Sequence, residues 1–208
     1  MLRSSLQQAV KSTVQQPSLR DAQFDVDINE PPPMQTPESV KPFSNSGACA
    51  PIPVQRLQLV GRVDNIEVFV DMQAFNNVPM LPTEYQPMLP LFIQVLRVLS
   101  TRVFQLDAGA LHVFVDRDSP IIAFNRGRAL FFNLRFFVAL GHADVVGGNS
   151  SASHIAGLTQ ADVYAYWFMT FCHELAHHFV HAHDAAHGFY MSAFAEEYMS
   201  KLIKLFRK

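Results

Sequence analysis

The spacing of hydrophobic residues changes several times along the chain, and each change marks an element. Leu57 and Leu59, then Ile66, Val68 and Val70, alternate with polar residues on either side of Asp64-Asn65, which predicts a β-hairpin. After the proline-rich residues 78–90, Phe92, Val95, Leu96, Leu99 and Val103 fall on one face of an amphipathic helix. Residues 112–116, HVFVD, read as a short apolar strand, and 121–124 with 129–137 flank Asn125-Arg126-Gly127-Arg128 as a second hairpin over 121–137. A glycine- and serine-rich loop at 147–153 precedes a run from Val163 to Cys172 that is apolar or aromatic except for Thr170. Thr159 with Asp162 three residues on has the form of a capping box, so that run predicts a buried helix. Tyr190, Phe194, Tyr198, Leu202 and Leu205 mark the apolar stripe of a C-terminal helix. The succession predicts an α+β domain with a small antiparallel sheet packed on the helix after Thr159 and on the C-terminal helix.

Residues 1–53 have a different character. Leu6, Val10 and Val14 have the spacing of a short helix, but the following segment is dense in proline, serine and other polar residues and predicts a flexible lead-in. The domain is expected over 54–208, and the lead-in fits the tail end of a longer protein. With 208 residues, 49% of them hydrophobic and 18 of them phenylalanine, the chain can bury one substantial core. The formal net charge of −2 argues against a dominant nucleic-acid surface. No apolar run is long enough to span a bilayer, and the N-terminus lacks the apolar stretch of a secretory signal. Cys49 and Cys172 are too few for a disulfide framework, so an intracellular, cytoplasmic setting is the expectation.

Six of the nine histidines lie between Tyr164 and His187, and among them stands His173-Glu174-x-x-His177. Helical residues four apart share a face, so His173 and His177 can point at one metal ion, with the Glu174 carboxylate beside it. A buried helix carrying two imidazoles and a carboxylate must give them partners, and a Zn2+ ion satisfies all three. Three residues compete for third ligand. His183 lies ten positions after His173, where the chain can turn back; His187, beside Gly188, needs a longer loop; and Glu197 lies on the flank of the buried face of the C-terminal helix, whereas Glu196 points away from it. Three protein ligands leave a position for water, and Glu174 is placed to act as general base. His178 and His181 are expected outside the ligand set, and Cys172, about 100° round the helix from His173, reads as a small buried residue. Tyr190 and Tyr198 are candidate oxyanion donors whose simpler role is packing. Cys49 is a candidate thiolate that reaches back to block the metal.

HELAH followed by His183-Asp184 resembles the zincin domains of the WLM and SprT-like metalloproteases, whose pattern is HExxH with a later histidine as third ligand; His187-Gly188 resembles the His-Gly of the SprT-like group. Over roughly residues 56–200, IAFNRGRALFFNLRFF and HGFYMSAFAEEY also resemble the C-terminal region of very large fungal proteins that carry a sacsin-like, Hsp90-type ATPase domain. The chain departs from the WLM pattern at His178 and His181, where that family has asparagine and glycine, so the resemblance does not by itself carry that family's crosslink-repair role over to this chain. The resemblance implies a zinc-dependent metallopeptidase acting on a protein or peptide substrate. The alternative it leaves open is a catalytically silent, zincin-like zinc module of a chaperone-like ATPase. Zinc peptidases hold the substrate as an added strand along a sheet edge, and the hairpin over 121–137 is the candidate edge.

Overall fold

Alternation along the strands sorts their side chains onto the two faces of a single sheet. The computed structural model describes residues 51–76, 79–148 and 158–207. Five strands, β1 (Leu57–Val63), β2 (Ile66–Asp71), β3 (Leu111–Val115), β4 (Ala123–Arg126) and β5 (Ala129–Asn133), pair in the order β1-β2-β3-β5-β4. The expected hairpins form. Asp64 and Asn65 both take positive φ, as a tight two-residue hairpin turn requires, and Gly127 at φ +66° does the same between β4 and β5.

The sheet is mixed rather than antiparallel, which corrects the expectation from sequence. β3 runs parallel to both β2 and β5. A parallel neighbour needs a crossover, and the chain between β2 and β3 supplies one through helix α1 (Leu89–Val98) and the π-helical turn that extends it over Leu99–Phe104. Because β5 returns beside β3, its hairpin partner β4 is left as the last strand of the sheet.

The second hairpin is also shorter than its hydrophobic pattern suggests. β5 stops at Asn133, whose side chain accepts a hydrogen bond from the Arg135 N–H at 3.1 Å and starts helix α2 (Leu134–Ala139). Helix α3 (His142–Val146) follows, again without an obvious signal in sequence. The helix anticipated from Thr159 is α4 (Gln160–Ala176), and both halves of its capping box are made: the Thr159 side chain accepts from the Asp162 N–H, and the Asp162 carboxylate accepts from the Thr159 N–H at 2.8 Å. α5 (Ala185–Lys204) is the C-terminal helix, N-capped by Asp184.

Ile66, Val68, Val113, Leu130 and Phe132 face the helices and are buried. Against them α4 places Trp167, Phe168 and Phe171, none exposed. Phe171 stacks on Phe104 at 5.1 Å and meets Phe132 in a tilted contact at 4.5 Å between ring centroids, and Trp167 meets Phe92 at 4.7 Å. Each buried ring of this kind contributes roughly 2–3 kcal/mol, enough to hold α4 against the sheet through its middle turns. Phe114, Phe124, Phe131 and Ile121 form a smaller cluster with Ile52 on the opposite face. At the strand ends Asp71 and Asp116 are buried and ion-paired, Asp71 with Arg56 and Asp116 with the Arg135 guanidinium at 2.8 Å, which answers the cost of burying each carboxylate. No helix among the described residues is long and apolar enough to cross a membrane. The anticipated short helix near the N-terminus and Cys49 lie outside the described residues, as does most of the 147–153 loop.

Phe132→Ala is expected to lower unfolding free energy by roughly 3–5 kcal/mol in urea denaturation, because it empties the contact between sheet and α4. Arg62→Ala, which removes the exposed pair with Glu67, is expected to stay within about 0.5 kcal/mol of the unmodified chain.

Candidate metal centre

α4 carries His173 and Glu174 in its last turn and ends with His177 as its C-cap. The chain then turns through residues 178–184 and re-enters a helix at Asp184, whose carboxylate accepts from the His187 backbone N–H at 3.0 Å. That cap does two things. It starts α5 back alongside α4, and it fixes His187 in the first turn of α5, facing the helix it has just left. His183, immediately before the cap, is delivered by the turn.

The result is a group of four imidazoles. His173, His177, His183 and His187 each offer a ring nitrogen, and these nitrogens lie within 4.8 Å of one another. His183 Nε2 is 3.1 Å from His173 Nε2 and 3.1 Å from His177 Nε2. Nitrogens held about 2.0–2.1 Å from a tetrahedral zinc ion would stand about 3.3 Å apart, so this trio matches the spacing a shared ion imposes. The Nδ1–H of His177 donates to the Val180 carbonyl at 3.0 Å, which leaves Nε2 as the lone-pair nitrogen on the side where the others converge. His187 is buried and its Nε2 has no hydrogen-bond partner, with the ring 4.3–4.9 Å from the other three rings between centroids.

Electrostatics favour neutral rings here. Burial, followed by repulsion from His187, His177 and His183, pushes the His173 pKa down to about 3, and burial likewise lowers His177 and His187. A neutral imidazole keeps the lone pair a metal needs. The donor set and its spacing fit Zn2+, and a metal ion accounts for a buried cluster of nitrogens aimed at one point.

Glu174 is almost fully buried, 1% exposed, in the same helical turn as His173. Its backbone carbonyl accepts a 2.8 Å hydrogen bond from Asn125 Nδ2 of β4, and the same amide reaches His178 Nδ1 at 2.5 Å. His178 is therefore tied to the sheet edge instead of the metal group, and His181 is exposed and outside it. Beside His173 and Glu174 opens a cavity of about 550 Å³. One wall is the exposed shoulder of α4 from Ala165 to Thr170, another is Ile122 and Ala123 at the start of β4, and Met191 of α5 closes it.

Of the residues proposed for third ligand, His183 and His187 both enter the nitrogen cluster, whereas Glu197 is exposed on α5 and, like Glu196, stands outside it. A helical wheel placed Glu197 on the flank of the buried face; Tyr198 and Phe194 bury their own sides of α5 and leave that flank in solvent. Tyr198 packs on Phe104 in the core and Tyr190 stacks on Phe179. Cys172 is buried, and burial pushes its thiol up to about 12, so it remains a protonated packing residue. Tyr166, Met169 and Thr170 were not singled out in sequence, although their spacing one and two turns before His173 places them on its face. Asn125 carried no local signal, because its partner is 49 residues away.

Compared with family models, curated proteins and solved structures, the chain matches none.

Elsewhere in the fold, His142 is buried with Nδ1 accepting from the Trp167 indole N–H at 3.1 Å, and burial alone holds its pKa at about 4. Because these folded-state pKa values lie below the ordinary imidazole value near 6.5, the unfolded chain binds more protons between about pH 6.5 and 4. The metal-free protein is therefore expected to lose a few kcal/mol of stability as pH falls through that window, measured as urea midpoints at stepped pH. Metal analysis is expected to find one metal ion per chain. His183→Ala should weaken metal binding by more than about a hundredfold, beyond the loss seen for an outer-shell partner, while His181→Ala leaves it unchanged in competition titrations.

Proposed function

We propose that the chain is a zinc-dependent metallopeptidase, with His173, His177 and His183 holding the metal and Glu174 acting as general base. The observation that carries this reading is the set of 3.1 Å contacts converging on His183 Nε2, one turn from a buried glutamate and beside an open cleft. Zinc, when bound, supplies Lewis acidity that acidifies water and polarises a peptide carbonyl. The chain's own groups do the rest. The Glu174 carboxylate takes a proton from the attacking water as its oxygen bonds to the carbonyl carbon. It then returns that proton to the amine as the C–N bond breaks. Strand β4, at the sheet edge, offers a peptide an antiparallel partner whose position relative to Glu174 is set by the Asn125 amide. This is the activity that the resemblance to WLM and SprT-like proteases implies.

One observation favours a second reading. His187 Nε2 is a fourth convergent nitrogen, and four imidazoles on one zinc fill a tetrahedral shell and leave no position for water. On that reading the domain is a closed zinc module that binds without cleaving.

Glu174→Gln separates the two. It keeps the shape of the side chain and the metal ligands but removes the base, so the peptidase reading expects zinc content to persist while peptide cleavage falls by roughly 10²–10⁴-fold. Equal rates with and without the substitution would exclude Glu174 as the base. In a closed module, His187→Ala should lower zinc affinity and the unmodified chain should cleave nothing.

A further inference from the structure

The cleft beside Glu174 is apolar out of proportion to the chemistry at its end. From Ala165 through Tyr166, Met169 and Thr170, successive turns of α4 lead along one face to His173 and Glu174. The facing wall begins with Ile122 and Ala123, so the sheet edge and the catalytic helix border the same space. Apart from His173 and Glu174 at the end, the polar atoms facing the cleft belong to Tyr166 and Thr170, and the Thr170 hydroxyl is already committed to the Tyr166 carbonyl at 3.0 Å. A volume of about 550 Å³ lies within the range of ligand pockets and exceeds what a small aliphatic group needs.

We infer that this cleft is the side-chain subsite of the peptidase, taking a bulky apolar residue, leucine or phenylalanine in size, next to the scissile bond. The inference rests on the peptidase reading and gives it a substrate class. A peptide extended along β4 turns alternate side chains to opposite sides, so one side chain near the metal must enter the space between β4 and α4. What it meets there is hydrocarbon, thioether and the phenol ring of Tyr166. A charged or amide side chain would lose its water there and find only the Tyr166 hydroxyl in exchange, whereas an apolar one gains by leaving water. The two methionines bear on how narrow the preference is. Met169 and Met191 stand on different helices, and unbranched thioether chains adapt their shape, so the subsite should select bulk and apolarity over one particular residue. Thr170 lies one turn before Glu174, which makes it the position where added volume shortens the cleft at the end nearest the chemistry.

The test uses the zinc-loaded chain and a series of short peptide hydroxamates, which bind through the metal and differ only in one side chain: glycine, leucine, phenylalanine or glutamate. Calorimetry is expected to show the leucine and phenylalanine compounds binding roughly ten- to a hundredfold more tightly than glycine, with glutamate no better than glycine. Thr170→Phe should bring that ratio to within about threefold. Met191→Trp narrows the cleft from the other helix and serves if Thr170→Phe fails to fold. A ratio near one in the unmodified chain overturns the subsite, as does a ratio that neither substitution moves. Digestion of a peptide library supplies the separate check on the reaction. Cleavage beside leucine, phenylalanine and methionine supports the proposal, and cleavage indifferent to the flanking side chain overturns it. If no peptide is cut while the hydroxamates still discriminate, the peptidase reading fails and the apolar binding site stands.

Discussion

Four ring nitrogens held within 4.8 Å of one another are the constraint to which the rest of the structure answers. A proton on His173, His177 or His187 loses hydration and meets its neighbours' repulsion, so those rings resist charge. A shared cation satisfies all the lone pairs together, and holding them ready for one requires both helices to be firmly placed. The aromatic layer of Phe132, Phe171, Trp167 and Phe104 does this for α4, and the Asp184 cap does it for α5. If α4 could slide against the sheet, the 3.1 Å spacings at its C-terminal end would not persist. The hydrophobic core and the imidazole cluster are thus successive parts of one support, with the core at the middle of α4 and the cluster at its end.

How much of this is legible in sequence follows from how local each determinant is. His173, Glu174 and His177 share one helical turn, and the capping box at Thr159 and Asp162 spans one turn as well, so both appear as short patterns. The hairpins were visible because Asp64-Asn65 and the turn ending in Gly127 are local conformational demands. His183 could be ranked from its spacing alone. The parallel pairing of β3 could not, because it depends on how distant segments cross and not on any feature of LHVFV. The end of β5 was missed because Phe136 and Phe137 continue an apolar run; Asn133, which caps α2, was the available sign. Glu197 and His187 show the limit of wheel geometry. Both lie on α5, but only His187, in its first turn, stands beside the end of α4 that carries His173 and His177; Glu197 is exposed farther along.

Asn125 connects the two halves of the site. Its amide ties the last strand of the sheet to the backbone of Glu174, so the edge strand and the helix carrying the carboxylate are held at one separation. The apolar cleft lies in the space this arrangement keeps open, between Ala123 and the shoulder of α4.

The origin of the ligands has a consequence for how the site comes into being. All four imidazoles fall within residues 173–187, on a helical hairpin whose closing turn is short, so bringing them together costs little loop entropy. Asn125 joins from 49 residues away, on a sheet whose β2–β3 pair joins Glu67 to His112 across a helical crossover. Chain topology therefore divides the site: the nitrogen cluster is closed by local contacts, and the sheet edge beside it is placed by non-local ones, which carry the larger entropic cost of closure.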